Sequence, residues 1–182
     1  MGEPASSEVL WRSYAHMAHQ LGIFEIVRAR LPDETKPLWD GTGTRAWYPL
    51  RHFRALVVAL SQLPNATYEE YSYSLTRDRF GPIISGLLRV AFAMSGASPH
   101  TVFRRFPVLV TLGLRGLHAT YTKQSDSTGE LVISYPEPWP EAASIGWTGI
   151  IRYLFETSGH SEGRVTSVLM TDDRTFRIGL SW

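Results

Sequence analysis

Thr175-Phe176-Arg177-Ile178-Gly179-Leu180-Ser181-Trp182 alternates apolar and polar side chains at every step. A period of two gives a strand with one buried and one wetter face. Working back, Thr171-Asp172-Asp173-Arg174 is a turn, so residues 164–170 and 175–182 form a hairpin. A second hairpin precedes it. Leu117, Ala119 and Tyr121 alternate with His118, Thr120 and Thr122, and Ser125-Asp126-Ser127-Thr128-Gly129 turns the chain before Leu131, Val132, Ile133 and Tyr135. Between the hairpins, Pro138 and Pro140 introduce a helix over about 140–157. Its Ala143, Gly146 and Gly149 are expected to pack closely on the sheet.

Upstream the period lengthens. Leu10, Tyr14, Met17, Leu21 and Phe24 recur at three- and four-residue steps, predicting a helix over 7–30 that Ser7 caps, Gly22 weakens and Pro32 ends. Residues 33–46 read as a polar loop. A second helix spans about 49–62. Thr67-Tyr68-Glu69-Glu70 has the spacing of a capping box for a third helix over 68–79. Gly81-Pro82 restarts the chain into an apolar helix containing Ile83, Ile84, Leu87, Leu88, Ala91 and Met94, which Gly96 stops. Ser98-Pro99 opens a short helix that Pro107 interrupts, and residues 108–114 suit helix and strand equally. The predicted class is α+β: a helical N-terminal part and a four-stranded antiparallel sheet of 116–123, 130–135, 164–170 and 175–182.

The chain has 182 residues, which suits a single domain, and its 43% hydrophobic and 19% charged content is that of a globular protein. The absence of cysteine excludes disulfides, thiol nucleophiles and cysteine metal sites. No secretory signal or membrane span is legible, so a cytoplasmic location is expected. Net charge is +1, unevenly spread. Four bases and six acids in 1–44 give −2, ten bases and three acids in 45–123 give +7, and four bases and eight acids in 124–182 give −4. This pattern suits self-association, as a homodimer, or binding of a protein partner. The bases are dispersed, so nucleic acid is not an expected partner.

Motif matches fail on context. Gly159-His160-Ser161-Glu162-Gly163 fits G-x-S-x-G, but a helix precedes it and a strand follows, the reverse of a nucleophile elbow. Gly41-Thr42-Gly43-Thr44-Arg45-Ala46 fits a loose dinucleotide pattern without the strand that must precede it. His16 and His19 stand one helical turn apart and lack a third ligand at helical spacing. No catalytic constellation remains, and a non-enzyme is expected. Phe92, Met94, Phe103, Phe106, Tyr121, Tyr135 and Trp147 come from elements that should converge where helices cross the apolar sheet face, with His100 and Arg104 as polar lining. The candidate ligand pocket is therefore His100, Phe103, Arg104, Tyr121, Tyr135 and Trp147. It would take a small apolar ligand.

Three segments resemble a family of small myxobacterial proteins: Tyr48-Pro49 at the second helix; Arg79-Phe80-Gly81; and Gly146-Trp147-Thr148-Gly149-Ile150-Ile151, followed by Gly159 and the hairpin ending in Trp182. The resemblance covers roughly 47–182 and sets off residues 1–46 as an N-terminal helix and loop within one domain, 1–182. More distantly the layout is similar to haem–nitric oxide/oxygen-binding (H-NOX) and four-vinyl-reductase domains. The first likeness implies a helical part followed by a sheet wrapped on a helix. It also implies a mid-chain His on the haem iron and a Tyr-x-Ser-x-Arg clamp on the haem propionates. His100 falls near the place of that His. At the clamp stands Tyr135-Pro136-Glu137-Pro138-Trp139, with Glu137 for the Ser and Trp139 for the Arg. An acid repels propionates and the lost Arg removes a bidentate donor, so no cofactor is expected. The expectation is a non-catalytic regulatory or sensory binding module, acting through an apolar pocket or a protein-interaction surface. The alternative is a haem-dependent gas sensor with His100 as ligand.

Overall fold

The computed structural model describes residues 3–182. It opens on β1 (Ala5–Ser7), whose last residue caps α1 (Glu8–Gln20): the Ser7 hydroxyl accepts a hydrogen bond from the Leu10 amide at 3.2 Å. The predicted helix over 7–30 is in fact two. Gly22, with φ +68°, divides α1 from α2 (Phe24–Arg28), because a left-handed residue cannot continue a right-handed helix. The expected loop 33–46 contains a single turn of helix, α3 (Lys36–Trp39), which buries Leu38 and Trp39.

β2 (Trp47–Pro49) leads into α4 (Leu50–Ser61). The third helix, α5 (Asn65–Leu75), starts earlier than the capping box predicts. Pro64 takes the cap position and places Thr67 inside the first turn. No break follows it. A π-helical segment, Thr76–Phe80, passes directly into α6 (Gly81–Ser95). Ser98 caps α7 (Pro99–Val110) as expected, accepting from the Thr101 amide. Pro107 does not interrupt that helix. Its lost amide and ring clash cost about 3 kcal/mol, but Val102, Phe103 and Phe106, buried in the turns just before it, anchor the helix.

β1 is the centre of a small antiparallel sheet, with β2 on one side and β3 (Leu114–Arg115) on the other. The larger sheet is four-stranded and antiparallel in the order β4-β5-β7-β6, from β4 (His118–Lys123), β5 (Thr128–Ser134), β6 (Arg164–Asp172) and β7 (Thr175–Ser181). Leu131, Ile133, Phe176, Ile178 and Leu180 supply its buried face. The α+β class and the hairpin–helix–hairpin order are those read from the sequence. No helix among the described residues is long and apolar enough to cross a membrane.

α8 (Ala143–Thr157) lies between the hairpins, but its small residues do not face the sheet as expected. A β-carbon built on Gly149 would meet the backbone of α5, with the Tyr73 amide nitrogen 2.9 Å away. One at Gly146 would meet the Tyr68 hydroxyl at 2.8 Å. The glycines therefore let α8 approach α5, and the bulky side of α8 turns to α7 and the sheet. Trp147 lies edge-on to Phe106 at 5.6 Å, and Phe155 edge-on to Phe103 at 4.9 Å.

Candidate functional site

The space between α1, α4, α5, α7 and α8 is not completely filled and opens to one side past Leu109 and Leu112. A cavity of about 110 Å³ remains. Leu10 and Tyr14 reach it from α1, Phe53 and Val57 from α4, Tyr68 and Leu75 from α5, Phe106 and Leu109 from α7, and Ala143 and Trp147 from α8. Tyr135 and Trp139 line it from the segment that leaves β5. The π-helical segment adds Thr76 and Phe80, and α6 adds Ile84.

Aromatic contacts fix the walls. Trp139 stacks on Tyr135 at 4.2 Å with planes 12° apart, and Phe53 lies 6.4 Å beyond it. The Tyr135 hydroxyl accepts a hydrogen bond from the Trp147 indole N–H at 2.8 Å. Tyr14 stands edge-on to Phe53 at 5.4 Å, and its carbonyl accepts from the Tyr71 hydroxyl at 2.5 Å. The hydroxyls of Tyr14 and Tyr68 have no hydrogen-bond partner among the described residues. Burial pushes the phenol pKa of Tyr14, Tyr68 and Tyr135 upward, and at Tyr68 the neighbouring phenols Tyr14 and Tyr135 add to the shift. These groups stay protonated. They can donate or accept a hydrogen bond, and they have no base beside them to make a nucleophile or a phenolate ligand.

The sequence-expected residues fall in two places. Tyr135 and Trp147 line the cavity, together with Phe106. His100, Phe103, Arg104 and Tyr121 do not. His100 sits in the first turn of α7, where its Nδ1 is hydrogen-bonded to the Tyr121 hydroxyl and its ring is edge-on to Trp182 at 4.8 Å. Its Nε2 is buried without a partner. Phe103 is buried between Tyr121 and Phe155. Arg104 is exposed, as is Met94 at 79%, and Phe92 is half-buried. The reason for the split is helix geometry. Phe106 and Leu109 are six and nine residues beyond His100, which at 1.5 Å per residue is roughly 9–14 Å along the axis. Sequence reasoning missed Tyr14, Phe53 and Tyr68, because their apolar periodicity reads as ordinary core. It missed Trp139 as a wall because the stretch was read against a clamp motif.

The side cluster has its own pH signature. Burial, and then the Lys123 charge, hold the His100 pKa below the usual histidine value, and burial pushes Tyr121 up to about 12. A lowered His100 pKa means that the unfolded chain binds the extra proton first, so stability falls as pH drops below about 6.5. The raised tyrosines work oppositely. The unfolded phenols ionise from about pH 10 while the buried ones cannot, so stability falls again above that point. The melting temperature should be flat between about pH 7 and 9 and decline on both sides; an unchanged value at pH 11 would contradict the burial of these phenols.

The other motif matches lie where their context placed them. Gly159, with φ +81°, turns the chain from α8 towards β6, and Ser161 is exposed on that turn. Gly41-Thr42-Gly43 lies in a loop. His19 stacks on Phe24 at 3.7 Å, and no group of three His, Asp or Glu side chains suited to a metal occurs among the described residues.

With the geometry in place, comparison with solved structures gives a consistent likeness. An iron(II) unliganded H-NOX protein from K. algicida aligns over 96% of this chain and 95% of its own, with a TM-score of 0.60 at 11% identity. An oxygen-binding H-NOX domain related to soluble guanylate cyclases, in its oxygen complex, covers 93% of this chain and 90% of its own, with a TM-score of 0.53 at 10% identity. A Cs H-NOX variant gives 96%, 95%, 0.59 and 9% for the same quantities. No protein-family profile matches the chain, and no curated protein sequence matches it. The fold is H-NOX-like.

The residues around the cavity do not fit a haem. Among the described residues lining it there is no His or Met to ligate iron, and no Arg or Lys to hold a propionate. Trp139, which the sequence resemblance set against the clamp's Arg, is 3% exposed and stacked on Tyr135.

Proposed function

We propose that this chain is a haem-independent binding module: an H-NOX-like fold whose cavity takes a small, uncharged, largely apolar molecule bearing one hydrogen-bonding group. It acts as a sensory or regulatory domain without catalysis of its own. The observation that carries this reading is an uncharged aromatic cavity with two buried tyrosines, Tyr14 and Tyr68, on its wall, whose rings can offer a hydroxyl to a ligand. An enclosed apolar cavity of about 150 Å³ binds benzene, and this space of about 110 Å³ opens to one side, so a small ring or short chain can enter it with part of the molecule at the mouth. Apolar burial supplies the affinity, and a hydrogen bond to one phenol supplies selectivity of about 1 kcal/mol.

Calorimetric titration with toluene and p-cresol, which differ by one hydroxyl, tests this. p-Cresol should bind about fivefold tighter than toluene, a preference lost in Tyr68→Phe or Tyr14→Phe. Ala143→Leu, which plugs the cavity, should abolish binding of both. Absence of saturable binding by either probe would overturn the proposal, and so would binding that Ala143→Leu leaves intact.

A further inference from the structure

β6 is an open edge of the larger sheet. It pairs with β7 on one side only, and residues 166–169 are exposed, Val168 at 40% and Leu169 at 59%. Edge strands are usually guarded against pairing by an inserted charge, often Lys, or by a Pro. Between Arg164 and Asp172 this strand carries neither. Bulges bend its two ends, between Val165 and Ser167 and between Met170 and Asp172, and residues 167–170 keep regular register. The β7 partners place the side chains. Val168 lies opposite Ile178, while Arg164 and Asp172 lie opposite Ser181 and Thr175, each three residues from Ile178. The two charges are therefore equidistant from Val168. They share the open face of the sheet, because Phe176, Ile178 and Leu180 take the buried one. On that buried face Val165 and Met170, opposite Leu180 and Phe176, are likewise equidistant from Val168. Asp172 accepts the Arg174 amide at 2.7 Å, and neither Asp172 nor Arg164 has an ion-pair partner among the described residues.

We infer that β6 pairs antiparallel with β6 of a second copy of this chain, across a two-fold axis at Val168, so that the two sheets join into one. In this register the strand is complementary to itself on both faces. On the open face Arg164 of each copy meets Asp172 of the other. On the buried face Val165 meets Met170, and Val168 meets its own copy. Register is not free to drift. Only every second residue turns its N–H and C=O outward, so the next permitted pairing moves each Arg164 two positions away from Asp172. The other edge, β4, offers no such match: it has one basic residue besides His118 and no acid, and that Lys123 already pairs with Asp126 of its own chain. None of the β6 residues lines the cavity, so the inference stands whether or not the cavity binds a ligand.

Sedimentation velocity of the full chain over about 1–200 µM tests this. A strand pair buries less than a standard interface, so a reversible dimer with a Kd on the order of 10 µM is expected, weakening with added salt. Arg164→Glu and Asp172→Arg should each weaken it at least about tenfold, because each reversal sets two like-charge pairs across the axis. The double variant, Arg164→Glu with Asp172→Arg, should restore it. Val168→Lys, which opposes two ammonium groups on the axis, should abolish it. All three positions are exposed, so thermal melts that match the parent separate lost pairing from lost folding. A monomer throughout the range overturns the inference. So does a dimer that none of these substitutions weakens, or one that the double charge reversal fails to restore.

Discussion

Gly149→Ala should destabilise the protein by about 3 kcal/mol, even after the ~1 kcal/mol that alanine gains over glycine in a helix interior. The added methyl would overlap the α5 backbone at the Glu69 carbonyl and the Tyr73 amide, and neither can swing aside as a flexible side chain would. Relief requires moving α8 away from α5. That loosens Tyr68 against Gly146 and separates Arg152 from Glu69 and Glu70, which it bridges at 3.3 and 2.6 Å. For a chain of this size the melting temperature should drop by roughly 6–12 °C. Gly86→Ala is the control. Its β-carbon enters open space on a helix, so the protein should gain up to about 1 kcal/mol. Equal effects of the two substitutions would show that the α5–α8 contact is looser than described.

Tyr135 should be the most sensitive side chain of the cavity wall. Tyr135→Ala removes the surface on which Trp139 stacks, an edge contact to Phe176 at 6.0 Å, and the acceptor of the Trp147 indole N–H. The expected cost is about 4 kcal/mol, in the range of large-to-small aromatic truncations. Tyr135→Phe keeps the ring and its stacking and orphans only the Trp147 N–H, for a cost of about 1–2 kcal/mol. Denaturant unfolding of both variants measures the split. If Phe costs as much as Ala, the hydrogen bond and not the stacking organises this wall.

The sequence was most informative where local pattern and burial coincide. The alternation of Phe176, Ile178, Leu180 and Trp182 marks β7, and all of its apolar members face inward or against α8. Ser7 and Ser98 were legible as caps because a hydroxyl before an apolar-periodic run has one evident use. The three-stranded sheet was not legible. Ala5-Ser6-Ser7 has no alternation, and Leu114-Arg115 is too short to have one, so these strands exist through pairing with residues far away in the chain. Pro107 and the glycines of α8 show the same limit. A local rule forecasts a break or a sheet contact, and tertiary packing decides otherwise.

The candidate site divided along the same line. Aromatic content near the helix–sheet junction pointed to Tyr135, Trp147 and Phe106, which do share a cavity. His100 and Tyr121 drew notice for their chemistry, and they form their own hydrogen-bonded pair beside Trp182. Single-sequence reasoning cannot assign residues of one helix to opposite ends of its packing surface without knowing what packs there. The apolar face read on α6 likewise divides: Ile84, Leu88 and Ala91 are buried, whereas Ile83, Leu87 and Met94 face solvent.

The central proposal is that this H-NOX-like fold binds its ligand without haem, because no His, Met, Arg or Lys among the described residues lines its cavity. The most direct measurement is absorption spectroscopy of the chain purified from haem-replete cells and then titrated with hemin. The account predicts a colourless protein and only weak, non-saturating absorbance on titration, unchanged in His100→Ala. A saturating one-to-one Soret band that His100→Ala or Tyr135→Phe removes would contradict it.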